Sequence, residues 1–252
     1  MAWTDDTLLE LFDDVTQSVR AALDGLDDWG LAGTRAGQYR CDLAADAAAL
    51  GVLDRAGVGV LSEESGLRRT DRDIVVVIDP IDGSTNAAQG VPWFATSLCA
   101  VDRDGPRVAL VVNQASGVTY RAVRGEGAQR DGAAIRPSRC DVMGDAIVAL
   151  SGLPNAHWGW RQFRVFGAAA LDMCLVADGV IDGFVDCSHN AHGVWDYVGA
   201  LLICREAGAV VADAYGRDLV VIDHAARRTP IAASTQELGR VLNMSRKSLD
   251  AG

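Results

Sequence analysis

The chain has 252 residues, 49% of them hydrophobic, enough for one large domain or two small ones. Its net charge is −11 with no basic block, so the lysine and arginine clusters that hold nucleic-acid backbones are missing. No apolar run reaches bilayer-spanning length, and the opening "MAWTDDTLLELFDD" is acidic where a signal peptide is basic, so a cytoplasmic protein is expected.

In chain order, residues 4–23 predict an amphipathic helix capped by Thr4, with Leu8, Leu11, Phe12, Val15 and Val19 at helical spacing. A second helix is expected over 42–55, then a short strand over 58–61 running into Glu63 and Glu64. An apolar strand at 74–78 follows, with further strands over 94–101, 108–113 and 118–123. "RGEGAQRDG" reads as a glycine-punctuated connection. Beyond residue 140 strand and helix alternate: strand 146–150, helix 167–177, strand 179–186, helix 195–208 stopped by Gly208, and strand 209–214. The last helix carries a capping box, Ser234-x-x-Glu237. This pattern predicts one compact α/β unit of two halves, 1–138 and 139–252, with no internal repeat. The cysteines, Cys41, Cys99, Cys140, Cys174, Cys187 and Cys204, form no C-x-x-C pair and read as reduced core thiols.

The stretch "VVVIDPIDGSTNAAQG" raises the functional question, because an apolar strand ends in Asp79, Pro80, Ile81 and Asp82. Asp-Gly and Pro are ordinary turn chemistry, and a plain surface turn is one reading. The other is a cation site. Asp79 sits at the carboxyl end of a buried strand, where α/β folds place ligands. A turn through Pro80 brings Asp79 and Asp82 to one side with the Ile81 carbonyl between, an oxygen set suited to Mg²⁺. Gly83, Ser84, Thr85 and Asn86 then offer a helix start, whose free N–H groups can cradle phosphate. Glu63 and Glu64 end another strand, and Asp196 lies in the first turn of a helix beside Trp195. Each has a dull explanation alone, as solvated charge or helix-dipole partner. An acidic chain handles an anionic substrate only where cations reverse the local field.

The residues carry a family resemblance. "DPIDGSTN" resembles the first signature of the inositol monophosphatase family, D-P-[IVL]-D-G-T-x-N, and "WDYVGALLICREAG" resembles the second. "SEESG" is similar to its metal loop, "RGEGAQRDG" to its glycine hairpin, and "FGAAALDMCLVADGVIDGF" to its substrate-side helix and strand. The resemblance implies a layered αβαβα sandwich, a single catalytic domain with the site between its halves, and a Mg²⁺-dependent, homodimeric phosphomonoesterase. Glu63, Asp79 and the Ile81 carbonyl would hold the first of two or three Mg²⁺ ions; Asp79, Asp82 and Asp196 would share the second. Glu63, Asp82 and Ser84 would be catalytic, Ser84 standing where threonine is usual, with Glu64 behind them. Gly83, Ser84, Gly167, Ala168, Asp186 and Asp196 would meet the substrate, a small phosphorylated polyol with inositol monophosphate the leading case. Fructose 1,6-bisphosphate, 3′-phosphoadenosine 5′-phosphate and histidinol phosphate are the alternatives, as is a non-catalytic binding relative.

Departures concentrate in "FVDCSHNAHGVWD", where the link before Trp195-Asp196 is longer than usual. His189 competes with Asp186 for the substrate-side position, and His192 reads as a plain polar residue. Trp158 and Trp160 would line a pocket, sit at an exposed edge of the core or form a dimer contact. Arg161 and Arg164 would meet an anion or merely precede the helix.

Overall fold

The computed structural model describes residues 3–251. Helix α1 (Asp5–Asp24) starts at Thr4, whose hydroxyl accepts from the Thr7 amide while the Thr7 hydroxyl accepts from the Thr4 amide at 3.0 Å. Its apolar stripe, from Leu8 to Leu23, is buried against α2 (Arg40–Ala56), which ends on the left-handed Gly57. The first sheet then contains β1 (Gly59–Ser62), β2 (Gly66–Arg68) and β3 (Val75–Asp82). After the short α3 (Ser84–Ala88), it is completed by β4 (Ala95–Asp102), β5 (Gly105–Asn113), β6 (Thr119–Val123), β7 (Gly127–Arg130) and β8 (Ala133–Ala134). The order is β2-β1-β3-β4-β5-β6-β7-β8, with only β1 and β3 parallel.

The second sheet is built from β9 (Ile147–Ser151), β10 (Gln162–Arg164), β11 (Gly183–Asp186), β12 (Val210–Asp213) and β13 (Pro230–Ala233), in the order β10-β9-β11-β13-β12. Helices α4 (Ala169–Ala177), α5 (Val194–Ala207) and α6 (Gln236–Lys247) intervene or follow.

Alternation along the strands sorts these elements into five layers. Val76, Ile78, Leu98, Ala100 and Leu110 join the core under α1 and α2, whereas Val75, Val77, Cys99 and Val111 face α4 and α5. On the second sheet Ala149, Phe184 and Ala232 close the α4–α5 core, while Val148, Leu150, Val185 and Ile231 pack on Leu238 and Leu242 of α6. The result is the αβαβα sandwich. Strand β3 and helix α4 are covered on both sides, so each is buried at every position and shows no amphipathic signal.

Several boundaries differ from the sequence reading. Strand β3 does not stop at Ile78; it stays extended to Asp82, with a bulge in its pairing to β4 between Asp79 and Asp82 in place of a turn. "RGEGAQRDG" is more than a connection, since Gly127–Arg130 forms β7, the return arm of a hairpin. Strand β11 is confined to Gly183–Asp186, and α4 begins at Ala169 because Gly167 takes φ +87° and Ala168 is extended. The last helix is capped by Thr235, which accepts from the Leu238 amide; Ser234 donates to the Cys140 carbonyl, and Glu237 pairs with Arg240 at 2.7 Å. All six cysteines are free. Among the described residues no helix is long and apolar enough to cross a membrane.

Candidate metal centre

Two elements deliver the first carboxylates. Glu63 leaves β1 while its amide still donates to the Ile78 carbonyl at 3.2 Å, which sets it beside the end of β3. In the β3 bulge Asp79 Oδ1 accepts from the Ile81 amide at 3.0 Å, and Thr96 donates to the Pro80 carbonyl at 2.9 Å. Ile81 lies within that bulge, 3% exposed.

Asp196 comes from the other half of the chain, in the first turn of α5, where its Oδ2 accepts from the Gly193 amide at 2.7 Å. Carboxylate oxygens of Glu63, Asp79 and Asp196 lie within 4.8 Å of one another. Asp82 is adjacent, but its two oxygens accept from the Ala169 and Ala170 amides at 3.1 and 2.7 Å. It is thereby seated on the start of α4 rather than in the cluster of three.

The electrostatics are those of crowded, buried carboxyls. Burial, reinforced by Asp196 and Glu64, pushes the Glu63 carboxyl up to about 8. Burial with Glu63, Asp82 and Asp196 nearby drives Asp79 well above its ordinary value. Asp82 rises to about 7 through burial and Asp196, against the pull of the α4 amides. Among the described residues no lysine or arginine forms an ion pair with Glu63, Asp79 or Asp82. Buried like charges that outnumber their one neighbouring counter-group, His192 beside Asp196, are costly, and an all-oxygen donor set fits a hard cation such as Mg²⁺.

Gly83, at φ +90°, could not be replaced without contact: an added Cβ would lie 3.0 Å from the Gly167 carbonyl and 3.1 Å from Ala168. Ser84 lies beside Asp42 on the wall of one cavity, and Asp42 accepts from the Tyr39 amide at 2.8 Å. Burial lifts the Asp42 carboxyl to about 6. Sequence reasoning missed Asp42 as a site residue, because an aspartate in the first turn of a helix reads as a capping group. Glu64 is engaged elsewhere, with Arg35 at 2.6 Å and with Gln38.

A cavity of about 300 Å³ opens on one side of the cluster, lined by Asp42, Glu63, Ser84, Trp195, His224 and Arg227 among others. His224 stacks on Trp195 and bonds the Glu63 carbonyl at 2.8 Å, so it braces both halves of the cluster. On the other side a cavity of about 140 Å³ is lined by Asp82, Ser151, Gly167, Ala168, His192 and Asp196 with their neighbours.

Asp186 does not line that smaller cavity. It is fully buried, with Oδ1 accepting from the Ser188 amide, Oδ2 without a hydrogen-bond partner, and His192 Nε2 3.9 Å away. His192 stands on the cavity wall instead, its Nδ1 3.2 Å from Asp196 Oδ2 and its Nε2 3.1 Å from Ser151 Oγ. Asp186 ends β11 with its side chain fully buried, whereas the β11–α5 link carries His192 to Asp196 and Ser151. His189 is exposed and bonds the Tyr215 hydroxyl. Trp158 and Trp160 belong to the core under α6, and Arg161 and Arg164 are exposed on and beside β10.

Comparison with known proteins supplies the family. The model of the inositol monophosphatase family matches residues 42–249. The chain is 29% identical over 246 residues to a bifunctional NADP phosphatase/NAD kinase of Methanocaldococcus jannaschii, covering 81% of this chain and 43% of that protein. It is 34% identical over 173 residues to Nus factor SuhB of Escherichia coli K12, covering 62% of this chain and 63% of that protein. It thus spans less than two thirds of the length of these relatives. The solved structure of an inositol monophosphatase–fructose 1,6-bisphosphatase superposes with a TM-score of 0.83 at 24% identity, over 97% of this chain and all of the other. With the family match running from the helix that carries Asp42 almost to the end of the chain, this protein belongs to the inositol monophosphatase family.

Proposed function

We propose that the protein is a Mg²⁺-dependent phosphomonoesterase acting on a small phosphorylated polyol, with inositol monophosphate the leading substrate. One observation carries the reading: Glu63, Asp79 and Asp196, distant in sequence, converge at a cavity that Ser84 and Asp42 also line. Glu63, Asp79, Asp196, Asp82 and the Ile81 carbonyl are the groups that would hold the ions. Bound there, Mg²⁺ supplies charge to polarise the phosphoryl oxygens and to make water a stronger acid.

The chain's own residues supply the rest. Asp42 accepts the Ser84 proton, which leaves the Ser84 oxygen free to accept one from the attacking water, and Glu63 assists on the opposite side. Gly83 and Ser84 offer backbone N–H groups to the phosphate. The alcohol side falls to Gly167, Ala168 and Asp196, with His192 and Ser151 in the place expected of Asp186. No covalent enzyme intermediate is required, so attack is in line.

Relatives named as an NADP phosphatase and an inositol monophosphatase–fructose 1,6-bisphosphatase keep nucleotide and sugar esters open as substrates. A Nus factor among the matches raises a non-catalytic reading, which the full carboxylate set disfavours. A phosphate-release screen over inositol, sugar and nucleotide monoesters, with and without Mg²⁺, tests the proposal. Release from none of them in saturating Mg²⁺ would overturn it. The reading carries with it a cytoplasmic homodimer, which cell fractionation and light scattering check.

A further inference from the structure

The C-terminal helix α6 carries a feature that the phosphatase chemistry leaves unused. Arg246, in its last turn, is 1% exposed and heads the largest fully buried side chains among the described residues. Burying a guanidinium is costly, and an apolar residue of similar volume commonly stabilises a core as well or better. A retained buried arginine therefore calls for a geometric reason.

Its hydrogen bonds supply one. Nε donates to the Asp186 carbonyl at 2.7 Å and Nη2 donates to the Ser188 carbonyl at 2.8 Å. Nη2 also reaches the Tyr215 hydroxyl at 3.3 Å, and Nη1 reaches Asp250 Oδ1 at 3.1 Å. One carbonyl is that of the last residue of β11, beyond the end of its pairing with β13, and the other lies in the irregular β11–α5 link, so each needs a partner from outside the sheet. A planar fork can hold two such acceptors in fixed relation, whereas an ammonium group cannot.

The far end of the same link is pinned separately. His192 and Arg228 exchange backbone hydrogen bonds at 3.3 and 2.8 Å, and the Asn190 amide donates to Thr229 Oγ1. Between these anchors the Asp186 carboxylate backs onto the His192 ring, which in turn meets Asp196 and Ser151. The path from α6 to the cavity wall is thus continuous: guanidinium, Asp186 backbone, Asp186 carboxylate, His192.

We propose that Arg246 is a positioning residue for the substrate side of the site. From α6 it fixes the elongated link so that His192 and Ser151 present one rigid polar wall to the alcohol part of the ester. The kinetic arm of its test rests on the phosphatase reading; the exchange arm does not.

Arg246→Lys keeps the charge but loses the fork, and Arg246→Met keeps the volume but loses every donor. On the best ester from the substrate screen, a folded Arg246→Lys enzyme should show KM raised about tenfold with kcat changed by much less. Arg246→Met should be worse than Arg246→Lys in KM. A folded variant with wild-type KM, or one whose activity falls only in step with its unfolded fraction, overturns the proposal.

Amide hydrogen exchange on the wild-type protein decides the matter even if neither variant folds. The Ser188 amide, bonded to Asp186 Oδ1, should exchange with protection close to that of the buried Leu242 amide of α6. Exchange of Ser188 orders of magnitude faster than Leu242 would mean that α6 does not hold the link, and would overturn the proposal. Absence of phosphate release by the wild-type enzyme would sink the functional reading, with the exchange result still standing on its own.

Discussion

The carboxylate of Asp82 accepts the backbone N–H of Ala170 at 2.7 Å, fastening the end of β3 to the first turn of α4. Its second oxygen takes the Ala169 amide, so a residue expected to serve cations also serves as a helix cap across the two halves. An asparagine there can accept one of these N–H groups but must aim its own N–H₂ at the other. Asp82→Asn should therefore lower stability by about 1–3 kcal/mol, the range for a buried donor left unsatisfied. Denaturant unfolding checks this.

Asp79→Asn should behave oppositely, although it lies in the same strand. Its Oδ1 bond to the Ile81 amide survives in an amide, and one buried negative charge is removed. Mg²⁺-dependent phosphate release should be lost while the denaturation midpoint without metal stays unchanged or rises. Unchanged turnover in this variant would sink the assignment of Asp79 as a cation ligand.

The pH dependence of metal-free stability follows from the raised carboxyls. Glu63 moves from 4.5 to about 8, Asp82 from 3.8 to about 7, and Asp79 also upward. His192 shifts the same way: burial opposes the charged ring, but the hydrogen bond and charge of Asp196, with Asp186 and Asp82, raise it to about 9. In each case the folded state binds protons more tightly than the unfolded state. That contribution is fully present below the unfolded values and is lost as pH rises through the folded ones. Without metal, the melting temperature should fall between pH 5 and pH 9 by at least about 2–4 °C, the equivalent of roughly 1 kcal/mol in a chain of this size. Millimolar Mg²⁺ should reverse the trend, because binding requires the deprotonated carboxylates. A metal-free protein that gains stability toward pH 9 would contradict this charge distribution.

Asp42 is expected to matter through Ser84. Asp42→Asn should reduce kcat by about 10²–10⁴, the usual span for loss of a general base, with little effect on KM. Ser84→Thr, which keeps the hydroxyl, should retain turnover, whereas Ser84→Ala should match the Asp42 variant. Steady-state kinetics on the three proteins separates a working pair from a structural contact.

Helix α5 crosses the first sheet at Gly199, where an added Cβ would lie 2.8 Å from Ser97 Oγ and 3.3 Å from the Leu98 carbonyl. Gly199→Ala should cost about 1–3 kcal/mol through overpacking, and should weaken Mg²⁺ binding because Asp196 rides on the same helix. Calorimetry with and without the ion measures both effects.

The sequence by itself determined the main helices and strands and, through its motifs, the family resemblance that implied the layers and the metal chemistry. The stripe of α1, the apolar runs of the central strands and the carboxylates that follow them are local patterns, readable because a helix repeats with a fixed period and a strand covered on both faces reads as a continuous apolar run. The motif residues Glu63, Asp79, Asp82, Ser84 and Asp196 were legible for the same reason, since each sits at a fixed offset from an element end. Tertiary structure decided what those residues touch. That Asp82 caps α4, that Asp42 and Ser84 share a cavity wall, that His192 rather than Asp186 walls the smaller cavity, and that Arg246 reaches the end of β11 are relations across 87, 42 and 60 positions or through an irregular link. No periodicity encodes such distances, because they are set by how separate layers close on one another.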